Sequence, residues 1–490
     1  MNSKLSHFFL SRNFQSRARA FGRKLGDCKT VQTQKFQEIQ KSLEDCPWIE
    51  DMRHDSSITS YDFYKSALDR VRAEKNSWVR RWVPTSGSTD ERKWIPYSRN
   101  FIKDISSSAA LLMNEVYLQS PGTRVGRHYW SLSWLPTELR GLTSNDDFKI
   151  LPMWQQWIFG SIRAVPPSLE LAPTSEAAWT ILLVQLMNCQ DLSFVSVWSP
   201  TYWTRVCDDL YSRREEIFEI LKSGIWAFDF LEVPKLVRPL PNINLSKVDF
   251  LNETWPNLAA MSLWKSSTSK QYAEQLREIF PKVTFLAKGL WATEGVVTIP
   301  YEGKLPLAID CHYYEFLCLN SQRILPAWKL EKHQIVQPLL WTSGGLMRYG
   351  LSDRLQVTDF IGNTPCFEFL GRLGGIDLVG EKLDQVQLEG IIAKINQNLG
   401  TAAHSVIADK KNRRYFLALS ERELDASILQ KAGLQFESEL LRSHHYRLAR
   451  ELGQLQAAGV EVFSSLDAFL KGLPRADILG QQKVETIYIR

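Results

Sequence analysis

The sequence predicts a mixed α/β (α+β) protein with a large N-terminal domain, residues 1–376, and a small C-terminal α/β one, residues 377–490. Three observations carry that expectation. Much of the first half spaces its apolar residues at three and four, the period of helices packed on one face. From about Trp255 to Arg372 the chain changes to β-branched and aromatic runs separated by turn residues. A glycine-rich link, "LGRLGGIDLVG", then leads into a unit of normal domain size that mixes helical and strand patterns. A length of 490 residues fits such a division.

Taken in order, "FFLSRNFQSRARAFGRKL" is Arg-rich and acid-poor, as organellar leaders are, but lacks an apolar secretory core. It reads as a packed N-terminal helix. "TVQTQKFQEIQKSLEDC" and "SYDFYKSALDRVRAEK" follow as polar-faced helices, with Ser60 as the expected N-cap of the second. "TSGSTDERKWIPYS" (85–98) breaks the periodicity between two prolines, and "NFIKDISSSAALLMNEVYL" resumes it. "SEAAWTILLVQLMN" is apolar on nearly every face and must be a buried helix. "LSFVSVWSP" reads as a buried strand, and 201–222 as one helix. The strand-like middle comprises "NLAAMSLW", "KVTFLAKGLWATEGVVTIPY", "LAIDCHYYEFLCL", "GGLMRYGLSDRLQVTDFIG" and "CFEFLGR". Beyond the link, "VQLEGIIAKINQNLG" is a helix with a glycine stop at 400. "HSVIADKKNRRYFLALS" is a strand pair around a basic turn, a long helical stretch follows, and "QKVETIYIR" is a closing strand.

Composition removes several function classes. An apolar share of 44% with 23% charged residues is that of an ordinary globular protein. A net charge of +5, with both signs interspersed, excludes a dedicated nucleic-acid binder. The longest apolar run, "WTILLVQLM", is under half a membrane span, so no membrane partner is expected. Seven cysteines without a CxxC pair point to a reducing compartment, hence the cytoplasm, and no HExxH or comparable spacing supports a structural zinc. Seventeen tryptophans fill cores or line pockets for flat apolar ligands.

Four segments carry chemistry together, although each alone reads as an ordinary turn or strand end. The loop at 85–93 offers backbone N–H groups and hydroxyls to anionic oxygens, with Lys93 adding charge. It is not a GxxxxGK[ST] loop, because the lysine follows the hydroxyls and Gly87 stands alone. In "GLWATEG" a Thr293-Glu294 pair follows a buried strand, the position where open α/β sheets bind ligands. A lone carboxylate there suits Mg²⁺, which prefers one or two carboxylates plus phosphate oxygens. Asp353, in a turn between strands, is placed to accept from a pair of ribose hydroxyls. Arg372 ends a strand just ahead of the hinge-like link.

In order and spacing these segments resemble the adenylate-forming superfamily. More closely, they resemble the auxin-responsive acyl-acid amido synthetases of plants and their bacterial relatives. "TSGSTDERKWIP", "WATEG", "YYEFL", "GLMRYGLSD", "CFEFLGR" and "GQQKVETI" each match a motif of that family, over residues 60–490. The resemblance implies an adenylate-forming fold and an enzyme that uses ATP and Mg²⁺ to convert a carboxylic acid into its acyl-adenylate. An amine, such as an amino acid, then takes the acyl group to form an amide. By position, it implies that Ser86, Gly87, Ser88 and Thr89 grip phosphates beside Lys93. Thr293 would touch the adenylate phosphate, Glu294 the metal and Asp353 the ribose. Arg372 would sit at the hinge, and Lys483 would swing in with the C-terminal domain. Trp198, Tyr202 and Trp291 are candidate walls of an acyl pocket for an aromatic or apolar acid.

Three positions depart from the family pattern. Asp90 replaces a frequent glycine, Ser352 replaces the glycine before the aspartate, and Leu290 replaces a frequent adenine-stacking tyrosine. A cytoplasmic monomer is expected. The rivals are an acyl-CoA or acyl-carrier ligase and a non-catalytic binder of nucleotides or small acids.

Overall fold

The structure, a computed structural model, describes residues 3–49, 57–85, 93–131, 134, 153–225, 232–236, 239–264, 269–376, 378, 379, 381, 383–420, 425–472 and 484–490. The N-terminal segment is the expected helix, Ser3–Lys24, and it buries Leu10, Phe14, Ala18 and Phe21. That spacing keeps one face on the helix Arg99–Gln119, as an amphipathic period requires. His7 fastens the pair, with one ring nitrogen 2.6 Å from Tyr117 Oη and the other 2.7 Å from the Gly126 carbonyl. The next helix, Cys28–Ser42, carries a buried Gln32. Its amide donates to the carbonyls of Ile309 and His312 and accepts from Tyr314 N–H, so the buried amide is well satisfied. Ser60 does precede the helix Tyr61–Ala73, but its side chain makes no cap bond.

Two sheets form the bulk of the molecule. The first is parallel, in the order Arg127–Trp130, Leu192–Ser196, Ala260–Leu263, Thr284–Ala287. Parallel strands need crossovers and are covered on their faces, so they read as continuous apolar runs. The largely apolar helix Ser175–Asn188 supplies one crossover, and Trp203 and Trp255 fill the core beside it. Helices Lys247–Thr254 and Ser269–Ile279 supply further crossovers, in stretches to which the sequence reading assigned no element. They are short, and the second is largely polar, so their period is visible over too few residues. The helix expected over 201–222 is two, Pro200–Ser212 and Arg214–Ser223, divided at Arg213.

The second sheet is antiparallel, ordered Arg323–Pro326, Tyr313–Cys318, Ile335–Trp341, Asp353–Ile361, Thr364–Arg372, with Tyr349–Gly350 paired to Ile335–Trp341. Its apolar face, including Phe316, Leu340 and Val357, packs on the N-terminal helices. Past residue 376 a third sheet forms, ordered Gly459–Phe463, Arg414–Ser420, Ala403–Asp409, Ile487–Ile489. The expected hairpin over 404–420 lies at its centre. Helix Gln385–Leu399 begins on the Asp384 side chain, ends at left-handed Gly400 and packs into a separate core with Val406, Leu417 and Phe436. All seven cysteines are free and buried.

Leu183, fully buried in the Ser175–Asn188 helix, should be costly to truncate. Leu183→Ala is expected to lose about 2–5 kcal/mol, whereas Leu434→Ala, at a largely exposed position, should change stability by under about 0.5 kcal/mol. Thermal midpoints of the two variants check this.

Candidate active site

The site is built where the last parallel strand, Thr284–Ala287, runs out. The chain turns there through Gly289, whose φ is +81°. A β-carbon on it would stand 2.3 Å from the Thr298 carbonyl oxygen, so conformation and space both demand glycine. Leu290 N–H then donates to Thr298 Oγ1 at 2.8 Å. Trp291–Ala292 pairs with Gly295–Val296 as a tight hairpin, leaving Thr293 and Glu294 as its two turn residues. Tyr97 Oη donates to the Thr293 carbonyl at 3.0 Å and pins the turn.

The other acidic group comes from the antiparallel sheet. Asp353 opens one strand and Arg372 closes the next, and register sets them directly opposite each other. Arg372 Nε lies 3.6 Å from Asp353 Oδ1, and its other face approaches Glu485 Oε1 at 3.9 Å. Gly371 and Gly374 flank it with φ of +116° and +135°, conformations open to glycine and strained for other residues. Tyr349 reaches Glu294 Oε1 through its hydroxyl at 3.4 Å. Behind it, Arg348 grips Glu315 with two nitrogens, at 2.7 and 3.0 Å, and Trp341 Nε1–H donates to the same carboxylate. The loop bearing Tyr349 is thereby held rigid.

The hydroxyl-rich loop springs from a hairpin, Val79–Pro84 against Trp94–Ser98, closed at its base by Thr85 N–H donating to the Lys93 carbonyl at 2.9 Å. Residues 86–92 lie outside the described residues. Lys93 itself is described, with its ammonium 5.9 Å from the Tyr61 ring centroid.

These elements surround a cavity of about 700 Å³, within the range of small-molecule sites. Its lining includes Lys93, Lys288, Glu294, Asp353, Arg372 and Glu485. Burial pushes the Glu294 carboxyl up from its ordinary range, and the Asp353 charge pushes the same way, against Lys93 and Arg372. A carboxylate so placed is short of positive charge, and its hard oxygens suit a divalent cation shared with phosphates. Among the described residues no three potential ligands cluster as an all-protein metal cage.

Of the residues singled out from sequence, Lys93, Trp291, Thr293, Glu294, Asp353 and Arg372 come together on this cavity. Trp198 stands behind its wall, stacked near Trp264 and under the Lys288 ammonium. Tyr202 is not brought to it. Its hydroxyl is 2.6 Å from Tyr129 Oη, and its ring packs in the core against Trp179. Ser86, Gly87, Ser88, Thr89, Asp90 and Lys483 lie outside the described residues. Sequence reasoning missed Tyr97, Lys288, Tyr349 and Glu485. Tyr349 and Glu485 fall inside quoted motifs, while a single lysine after an apolar run gives no pattern to find.

A sheet-end cavity lined by opposed carboxylates and cations thus sits on a two-sheet α/β fold. That fold has solved counterparts. Over 95% of this chain and 92% of the other, the fold superposes on "GH3.15 acyl acid amido synthetase" with a TM-score of 0.76 at 15% identity. Against "AtGH3.15 acyl acid amido synthetase in complex with 2,4-DB" the coverage is 98% and 95%, the TM-score 0.77 and the identity 15%. The GH3 family N-terminal domain matches residues 17–285 and the GH3 family central domain residues 305–372; the chain belongs to the GH3 family. Among named relatives, "Indole-3-acetic acid-amido synthetase GH3.10" of Arabidopsis thaliana is 21% identical over 247 residues. That match covers 42% of this chain and 40% of the relative.

Because the folded protein raises the Glu294 pKa, its charged form costs stability as pH rises through that pKa and protonation relieves the cost. Glu294→Gln is therefore expected to raise the ligand-free thermal midpoint at pH 7, read by differential scanning fluorimetry.

Proposed function

We propose that this chain is an ATP-dependent acyl-acid amido synthetase, a ligase that joins a carboxylic acid to an amine, such as an amino acid, through an acyl-adenylate. One observation carries the reading. Four segments distant in sequence deliver Lys93, Glu294, Asp353 and Arg372 to a single cavity. Family membership supports it, since the relatives that share the fold are named as amido synthetases.

In this reading the acid's own carboxylate is the nucleophile of the first step, so no general base is needed. Its oxygen attacks the α-phosphorus of ATP and pyrophosphate leaves. Lys93 and the loop at 86–89 stabilise charge on the phosphate oxygens, and Asp353 accepts from the ribose hydroxyls. Glu294 is the residue to hold Mg²⁺, which neutralises phosphate charge when bound. The amine then attacks the acyl carbon, and AMP departs. The boundary at 376/377, just past glycine-flanked Arg372, divides the N-terminal adenylation domain from a C-terminal domain that closes over the labile anhydride and excludes water. Lys483 arrives with that domain. Seven free buried cysteines fit a cytoplasmic setting.

ATP–pyrophosphate exchange over a panel of carboxylic acids tests the reading. Exchange with at least one acid, and amide rather than thioester when amino acids and CoA compete, is the expected result. ATP binding without exchange for any acid would assign the chain to non-catalytic binding instead. Asp353→Ala removes hydrogen bonds to a charged acceptor, each worth about 1.5–3 kcal/mol, and should weaken ATP by at least about tenfold. Lys483→Ala should lower the rate of exchange with little change in ATP affinity; full activity in that variant would remove Lys483 from the site.

A further inference from the structure

Lys288 has no part in the chemistry above, yet it is a buried cation on the wall of the same cavity. It sits one residue beyond the last parallel strand, is 3% exposed, and lines the cavity beside Leu263 and Trp264. Its ammonium donates to Ser196 Oγ at 2.6 Å and lies 4.8 Å from the Trp198 ring centroid. Trp291 Nε1–H donates to the Lys288 carbonyl at 2.9 Å, which fixes the backbone from which the side chain projects. Among the described residues no carboxylate is paired with it. Burial alone drives the amine down to about 7, so it is half neutral at the pH where most enzymes work. By contrast, the charges of Glu294, Asp353, Lys93 and Arg372 perturb one another at the other cluster. The cavity thus has two charged regions, one assembled from several groups and one consisting of a single amine with an indole behind it.

A hydroxyl and a ring face compensate a buried ammonium only in part. What would complete it is an anion brought in by the ligand. We propose that Lys288 pairs with a second acidic group on the acyl substrate, so that the preferred acid has an aromatic or flat apolar body with one carboxylate to be adenylated and another acidic group, a carboxylate or an acidic phenol, that Lys288 receives. The indoles of Trp264 and Trp291 would flank the body. This rests on the amido-synthetase reading for its reaction, but not for its binding event. Pairing would return the amine to its charged form, so affinity for such an acid should fall as pH rises above about 7, while affinity for an acid lacking the second group should not. A charged hydrogen bond of this kind corresponds to at least about a tenfold preference.

The probes are 3-phenylpropanoate and 3-(4-carboxyphenyl)propanoate, titrated calorimetrically into the full chain at pH 6.5 and pH 8.5, without ATP, and then used in pyrophosphate exchange. The diacid should bind about tenfold or more tightly at pH 6.5, and the advantage should shrink at pH 8.5. In Lys288→Met the diacid should lose that advantage at both pH values, the monoacid should bind as before, and ATP alone should bind unchanged. Equal affinity of the wild-type chain for the two acids at pH 6.5, or no binding of either, overturns the proposal, and this needs no variant to fold. A loss of ATP affinity in Lys288→Met as large as that of the diacid also overturns it, because the anion met would then be a phosphate. Diacid preference without exchange leaves Lys288 assigned and removes the synthetase reading; exchange without preference does the reverse.

Discussion

The arrangement depends on the cross-strand pair Asp353–Arg372. Two carboxylates, Glu294 and Asp353, face one cavity, and like charges removed from water repel strongly unless a cation lies near them. Arg372 is that cation, 3.6 Å from Asp353, and strand register rather than side-chain flexibility puts it there. The same guanidinium approaches Glu485 at 3.9 Å, two residues before the final strand of the third sheet. One side chain therefore steadies the acidic face of the cavity and touches the unit beyond the glycine link. A movement of that unit would change the charge environment of Asp353 without any new residue entering.

Rigid surroundings make this possible. The Thr293-Glu294 turn is held from three directions, by Gly289 against Thr298, by Tyr97 on its carbonyl and by Tyr349 on the carboxylate. Tyr349 is backed by the two-pronged Arg348–Glu315 pair. Such supporting contacts hold the two turn residues in one position at the cavity edge, the preorganisation that a fixed charge requires. Lys288 and Glu294, whose charged forms burial disfavours, stand where the strands end, while the strands themselves are anchored in large apolar cores.

How much of this could be read in advance differs by element. The long helices 3–24, 99–119 and 175–188 declared themselves through period or unbroken apolarity, and the hairpin at 403–420 through two apolar runs around a basic turn. The helices at 247–254 and 269–279 did not, since eight to eleven residues of mixed polarity give too few repeats to outweigh neighbouring strand patterns. Lys93, Thr293, Glu294, Asp353 and Arg372 were found because each lies in a motif whose order could be recognised. Tyr202 was chosen for its aromatic neighbours, and those same neighbours bury it: an aromatic cluster looks alike in sequence whether it lines a pocket or fills a core.

By itself the sequence determined the mixed α/β class, the change from helical to strand-rich segments and the identity of the charged motif residues. These are local properties, set by spacing and residue type. Only the tertiary structure decided that Arg372 faces Asp353, that Tyr349 touches Glu294, and that Lys288 stands buried at the cavity wall. Partnership and burial are settled between residues tens to hundreds of positions apart, by strand register and by which surfaces are removed from water, and neither is written in any one segment.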